Sequence, residues 1–330
     1  MQPTGVPHLG NYLGALRWWV ADQGVGEAFY FIADLHALTQ PRDPAELREA
    51  TMTMATSLLA IGLDPGTCTI FAQSHVPEHA QLAWLLSCTA SMGELQRMTQ
   101  FKDKAAKGGV ESARVGLFTY PVLQAADILL YQVTHVPVGE DQRQHLELAR
   151  TVAERFNHRY GPTFVVPDAA IPPPGRGARV MDLQVPTAKM SKSAGSEAGL
   201  ISILDPPEVI ERRIKRAVTD TEDGPGAVRW DPESKPGVSN LLQLLAAATG
   251  GDPASLAGSY SRYGDLKADT AAAVVELLAP IRARYAALAA DPGAVWEVLR
   301  AGSERARAVS SVTLERATRA VGLLPAAPPA

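Results

Sequence analysis

The stretch from Thr187 to Gly195, TAKMSKSAG, holds two lysines and two serines around a single large apolar residue. A segment of that kind buries almost nothing, so standing alone it reads as a solvated loop. Near the N-terminus, residues 2–14, QPTGVPHLGNYLG, gather two prolines, three glycines, His8 and Asn11 around a helix start. Backbone N–H groups at such a terminus attract phosphate, and Gly10 allows a ligand to approach the backbone closely. A tight turn capping a helix has the same composition. A third segment, VPVGEDQRQH (residues 136–145), sets Gly139, Glu140, Asp141 and Gln142 just past the carboxyl end of a strand. In open α/β sheets that edge is where ligands bind. Asp127, within AADILLY, follows small and apolar residues on a helix, where an unpartnered carboxylate is costly to bury. His75 and His79 stand at i, i+4, but Pro77 lies between them and no third ligand is evident. They read as surface or capping histidines.

The elements that must position these residues alternate. NYLGALRWWVAD (11–22) has helical spacing, with Trp18 and Trp19 as packing residues, and FYFIAD (29–34) reads as a buried strand. A helix over 43–62 opens with Asp43 as N-cap and Pro44 in its first turn, and Gly62 ends it. CTIFAQS (68–74) follows as a second strand, so the order argues a parallel sheet with crossover helices. Further helices are expected over 78–88, 121–131 and 141–157, with a short strand at 134–138. Beyond the proline-rich 171–179 the alternation stops. Residues 241–249, 271–289 and 294–321 are alanine-rich and helix-periodic, which predicts a second, all-helical domain. Its basic clusters, ERRIKR (211–216) and Arg305, Arg307, Arg316 and Arg319, read as solvated helix faces unless an RNA partner is argued independently.

Composition sets bounds on this. At 330 residues the chain has room for two domains, and 46% hydrophobic with 20% charged residues is ordinary for a globular protein. Cys68 and Cys88 lie in apolar runs with no paired spacing, so both are expected as buried thiols in a reducing compartment. Neither a leader pattern nor a membrane-length apolar run is present, and a cytoplasmic location is expected. Thirty-one basic against 35 acidic residues give no global attraction to nucleic acid, so any RNA contact must rest on local patches.

Taken in order, the segments identify a family. His8-Leu9-Gly10-Asn11 resembles the HIGH signature and Lys189-Met190-Ser191-Lys192-Ser193 matches the KMSKS signature of class I aminoacyl-tRNA synthetases. GNYLGALRWWV, ADLHALT, MTQFKDK, TYPVLQAADILLY and VPVGEDQRQH resemble the tryptophanyl-tRNA synthetase family, and DTEDG, KPGVSNLL and SERARAV extend the likeness through nearly the whole chain. The resemblance implies a Rossmann-like parallel-sheet catalytic domain over 1–188, with a dimer-forming helical insertion near 77–131. It implies a KMSKS loop and helical anticodon-binding domain over 189–330, whose last helix packs back on the catalytic domain. Periodicity alone reaches only a nucleotide-binding α/β protein.

The implied reaction joins L-tryptophan to ATP, with Mg²⁺ on the phosphates, and passes the aminoacyl group to tRNA(Trp); a homodimer is implied too. By the same resemblance Lys189 and Lys192 sit on a mobile loop that neutralises the departing pyrophosphate, a loop not expected to be pinned by a large apolar anchor. His8 faces the phosphates, and Lys104 of FKDK reaches them from a second loop. Gln2, Pro3, Thr4, Gly10 and Asn11 line the ATP site with Met190, Ser191 and Ser193; Gly139, Glu140, Asp141 and Gln142 hold the ribose, and Val180 contacts the adenine. Asp127 accepts from the indole N–H, with Tyr120, Gln124, His36 and Val138 nearby. A site built for a substrate N–H rejects analogues lacking it by roughly 10⁴ to 10⁵.

Two departures stand out. Asn11 replaces the final histidine of HIGH, and Gln2 directly follows Met1 where the family has an apolar strand. A central strand of about five or six residues is expected there, which predicts a native chain about ten residues longer at its start. A tyrosine-specific synthetase and a non-catalytic paralogue binding tryptophan or tRNA remain as alternatives.

Overall fold

The computed structural model describes residues 1–99, 114–137, 139, 142–170, 179–192, 197–224 and 226–324. Leu9–Asn11 opens a helical run that passes through a π-helical stretch, Tyr12–Leu16, into Arg17–Asp22 (together α1). Strand β1 is Phe29–Ile32, α2 is Pro44–Ala60 and β2 is Thr69–Ala72. Asp43 caps α2 by accepting from Ala45 N and Glu46 N, and the chain leaves it at Gly62, whose φ of +113° suits glycine. β1 and β2 pair in parallel, Phe29 opposite Thr69 and Ile32 opposite Ala72, with α2 as the crossover. Met1 takes one ladder position beside β1: its amine donates to Phe31 O (2.7 Å) and its carbonyl accepts from Ala33 N (2.8 Å).

Helices α3 (Glu78–Ser87), α4 (Met92–Gln96), α5 (Val115–Leu129) and α6 (Arg143–Tyr160) form the next layer. Ser91 and Glu94 close a capping box on α4, and Arg155 of α6 grips the same Glu94 with two hydrogen bonds (2.5 and 3.0 Å). That Arg155 contact holds the Glu94 carboxyl down at about 2. Strand β3 (His135–Pro137), expected at 134–138, pairs in parallel with β4 (Asp168–Ala170), which at three residues is too short to be read from the sequence. Helix α5 was expected from Pro121, yet it begins six residues earlier and carries Pro121 inside it. The buried face of α5, with Val122, Ala125, Ala126 and Leu129 packed inward, overrides the cost of the interior proline. Cys88, expected buried, caps the end of α3 and is exposed, whereas Cys68 is buried.

The rest is helical among the described residues: α7 (Pro207–Lys215), α8 (Pro236–Thr249), the short Pro253–Ala257, α9 (Tyr263–Ala289) and α10 (Pro292–Ala320). None of the described helices is long and apolar enough to cross a membrane. The core does not break near residue 188. Leu9, Leu13, Ile32 and Leu58 pack in one cluster with Val180, Met190, Leu241, Val274 and Leu278, while Phe71, Leu82, Val122, Leu146 and Phe156 form a second. Arg17 donates to Ala247 O (3.0 Å) and Arg284 to Ala60 O (2.6 Å), tying the helical part to α1 and α2.

Helix α10 returns to the sheet. Gly302 lies so near β2 that a Cβ there would overlap the Ile70 carbonyl oxygen, and Arg305 donates to Pro65 O (2.9 Å). Arg307 pairs with Glu78 of α3 (3.3 Å) and Arg319 with Glu315. Arg305 and Arg307, read as solvated, are exposed, and each also makes a docking contact at the edge of the face that meets protein. Arg213 likewise pairs with Asp205, leaving Arg212 and Arg216 exposed. Gly302→Ala should force α10 off β2 and cost about 1–3 kcal/mol, lowering the urea midpoint; an unchanged midpoint would show that the helix slides at no cost.

Candidate active site

The start of α1 is built by two residues that cap each other. His8 Nδ1 accepts from Asn11 N (3.3 Å), and Asn11 Oδ1 accepts from His8 N (3.1 Å). The box fixes the imidazole with its proton on Nε2, and gives Asn11 a role that explains its presence at this position. Burial pushes His8 down to about 4, with the ammonium groups of Lys192 and then Lys189 adding to the effect. At neutral pH His8 is an uncharged donor. The π-helical stretch follows immediately, a feature frequent at functional sites.

Residues 180–190 form a hairpin: Met190 N donates to Val180 O (3.0 Å) and Asp182 N to Ala188 O (2.9 Å). Met190 is 1% exposed, within 3.5 Å of where a Cβ on Gly10 would lie. The expectation of a loop without an apolar anchor is thus corrected: Met190 pins its base in the core, because burying its side chain removes apolar surface from water. Beyond it, Lys192 reaches across to donate to Thr4 O (2.6 Å), and burial there lowers its pKa. His8 also bridges Ser202, with Leu9 N donating to Ile201 O (2.8 Å). The first and last parts of the site are therefore stitched by backbone.

The second half of the site centres on Asp127 of α5, which is 6% exposed. His36 Nε2 donates to its Oδ2 (2.7 Å), while Gln73 Nε2 and His79 Nδ1 donate to its Oδ1 (both 2.6 Å). His79 Nε2 meets the Tyr131 hydroxyl (2.8 Å). Burial opposes ionisation of Asp127, but the charge and hydrogen bond of His36, and those of His79, outweigh it and hold the carboxyl well below its usual range. A carboxylate offers about four acceptor positions; the one left lies on Oδ2. Tyr120, whose phenol burial raises to about 12, pairs with His145 Nε2 (2.7 Å), and Gln124 donates to Gln142 Oε1 (3.3 Å).

Residues 1–279 match the family of class I tRNA synthetases for tryptophan and tyrosine (W and Y). The chain belongs to that family. Tryptophan–tRNA ligase 2 of Streptomyces avermitilis is 54% identical over 329 residues, 99% of this chain and 96% of the relative. The crystal structure of tryptophanyl-tRNA synthetase from Mycoplasma pneumoniae matches with a TM-score of 0.87 at 36% identity, over 98% of this chain and 96% of that one. The Campylobacter jejuni tryptophanyl-tRNA synthetase, complexed with ADP and tryptophan, matches with 0.84 at 33% identity over 98% of each. The architecture is accordingly a Rossmann-like α/β fold with a parallel sheet and a helical part.

Against that family, the structure brings His8, Gly10 and Asn11 together with Met190, Lys192 and Thr4. Gln2 O accepts from Thr4 N (3.0 Å) and Pro3 is buried beside it, while Lys189 is exposed and Ser191 half-buried. Gln142 N donates to Gly139 O (2.9 Å) at the sheet edge. Val180 is 2% exposed with its side chain in the core. Lys104, Val138, Glu140, Asp141 and Ser193 lie outside the described residues. His36 joins Asp127 as expected, but His79 is a correction. It was read as a surface or capping histidine and is fully buried, because Asp127 requires a donor from α3. His75 is exposed and stacks on Trp296 (ring centroids 6.0 Å apart). Gln73, Tyr131 and His145 were missed. Only the polar residues in otherwise apolar runs could have signalled them.

His8 makes a pH test. An unfolded chain takes up a proton as pH falls through 6.5, but native His8 resists until about 4, so within that window protonation favours unfolding. Wild-type stability in urea should fall more steeply from pH 6.5 to 4 than that of His8→Asn. Parallel curves would show that His8 titrates as it does in the unfolded chain.

Proposed function

We propose that the chain activates L-tryptophan with ATP and transfers it to tRNA(Trp). The observation that carries this is Asp127: a buried, ionised carboxylate held by three donors, with one acceptor position left on Oδ2. An indole N–H is the donor that completes it, and an analogue lacking that group would leave the position unpaired. Tyr120 and Gln124 lie along the same helix α5, and Tyr120 packs edge-on to His36 (ring centroids 6.2 Å apart).

In the first step the tryptophan carboxylate attacks the α-phosphorus of ATP and the bond to the bridging oxygen breaks, so pyrophosphate departs with its electron pair. Charge builds on the departing oxygens. Lys192 is already directed across the site toward Thr4, and the neutral His8 adds an Nε2–H donor without competing for a proton. This donor set fits phosphate oxygens and not a metal, so Mg²⁺ would be carried on ATP itself and would supply further neutralisation. In the second step a ribose hydroxyl of tRNA attacks the acyl carbon, the bond from that carbon to the phosphate oxygen breaks, and AMP leaves as its phosphate takes up the hydroxyl proton. Positioning does most of the work in both.

The partners follow the same proposal. The helical part, residues 189–330, takes the anticodon end of tRNA, with the exposed Arg212 and Arg216 as candidates for backbone contacts. Trp84, Met92 and Val115 are exposed apolar residues on α3, α4 and α5, the segment proposed to meet a second copy in a homodimer. A cytoplasmic location goes with the same proposal, since its tRNA partner is met there.

Tryptophan-dependent exchange of pyrophosphate into ATP tests the reading: a pure binding module gives none. Lys192→Ala should lower kcat for exchange by roughly tenfold or more with tryptophan affinity unchanged; an unchanged rate returns the loop to a solvated surface. Asp127→Asn should lose roughly tenfold or more in tryptophan affinity by calorimetry while ATP affinity holds. If both affinities fall together, Asp127 is a structural carboxylate.

A further inference from the structure

Behind the loop that carries the two lysines, one side chain of the helical part does the job of a strand. In the 180–190 hairpin, Val180 and Asp182 turn their backbone groups toward residues 188–190, so the intervening Met181 turns its N–H and C=O outward. Asn240 of α8, 4% exposed, meets both: its Oδ1 accepts from Met181 N and its Nδ2 donates to Met181 O, each at 3.0 Å. A carboxamide matches a peptide edge in shape and polarity. Val238 and Leu241, its neighbours on α8, pack in the same core cluster as Val180 and Met190. The hairpin is thereby held from one side by Asn240 and from within by Met190, and Lys189 and Lys192 project from its end.

We infer that Asn240 is a positioning residue that sets Lys189 and Lys192 over the phosphates, and that it links the orientation of α8 to that of the loop. The inference rests on the tryptophan-activation reading for its kinetic consequence but on hydrogen-bond geometry alone for its structural one. Asn240→Asp keeps the volume and the acceptor for Met181 N, but sets a carboxylate oxygen against Met181 O. Two acceptors then face each other, and the hairpin edge must open. Asn240→Ala removes both bonds and serves as the second variant.

Two measurements decide the matter. Amide hydrogen exchange should quicken at Met181 and Met190 in both variants by roughly tenfold or more. Pyrophosphate exchange, expressed per active site by adenylate burst titration, should show kcat down roughly tenfold or more, with the KM for tryptophan within about twofold. Placed in a background with both Lys189→Ala and Lys192→Ala, Asn240→Asp should add less than about threefold, because it acts through the groups already removed. Unchanged hairpin exchange overturns the inference even if the wild-type enzyme proves inactive in tryptophan activation, an outcome that would separately sink the activity reading. Fully additive losses, or equal losses in kcat and tryptophan KM, also overturn it, since they would assign Asn240 to general stability.

Discussion

The buried carboxylate of Asp127 is the interaction on which this catalytic half is built. An ionised group nearly out of contact with water costs several kcal/mol of desolvation unless hydrogen bonds replace the lost solvent. Its replacements come from separate places: His36 follows β1, Gln73 follows β2, and His79 opens α3. Each donor reaches Asp127 only if the two parallel strands end at the same level and α5 lies across them. The carboxylate thus turns strand register into a packing requirement, and the cluster of His36, Gln73 and His79 inherits its geometry from it. Asp34, which binds both the N–H and the hydroxyl of Ser74, fastens the same strand ends a little further out.

The half around His8 and Lys192 follows the opposite electrostatic rule. Here cations crowd together, and the structure avoids adding a third by keeping His8 neutral. The capping box matters for this reason as well as for the helix, since committing Nδ1 as an acceptor leaves Nε2 as the donor. Lys192 donates to a backbone carbonyl, a neutral partner and so a weaker one than an anionic oxygen.

These halves are joined by helices that sequence order places far away. Gly302 lets α10 lie directly on β2, while Arg305 and Arg307 satisfy carbonyl and carboxylate groups at that contact. A buried ammonium, Lys235, is held by Asp220 (2.9 Å), Glu222 (2.7 Å) and the Tyr263 hydroxyl (2.8 Å), fixing the start of α8 against α9. Since α8 carries Asn240 and α9 carries Arg284, the helical part is bonded to the hairpin and to the end of α2. Any movement of one must be felt by the other.

By itself the sequence determined the alternation of strand and helix up to residue 160, the helical character after it, and the local cluster at the start of α1. These are local properties: Asp43 and Pro44 start α2 whatever surrounds them, and His8, Gly10 and Asn11 are close because they are neighbours in the chain. Resemblance to known motifs directed attention to Asp127 and the two lysines. Tertiary structure alone decided which residues complete that site. Nothing within residues 73–79 says that Gln73 and His79 will share a carboxylate more than forty residues away, because the need arises only when α5 is laid across the strand ends and water is excluded. The same holds for Met190, which looks unanchored in TAKMSKSAG until Gly10 and α8 enclose it, and for Pro121, tolerated because packing outweighs a lost helical bond. Propensity and spacing are read within a turn or a strand, whereas burial and polar satisfaction depend on partners that the chain supplies only once folded.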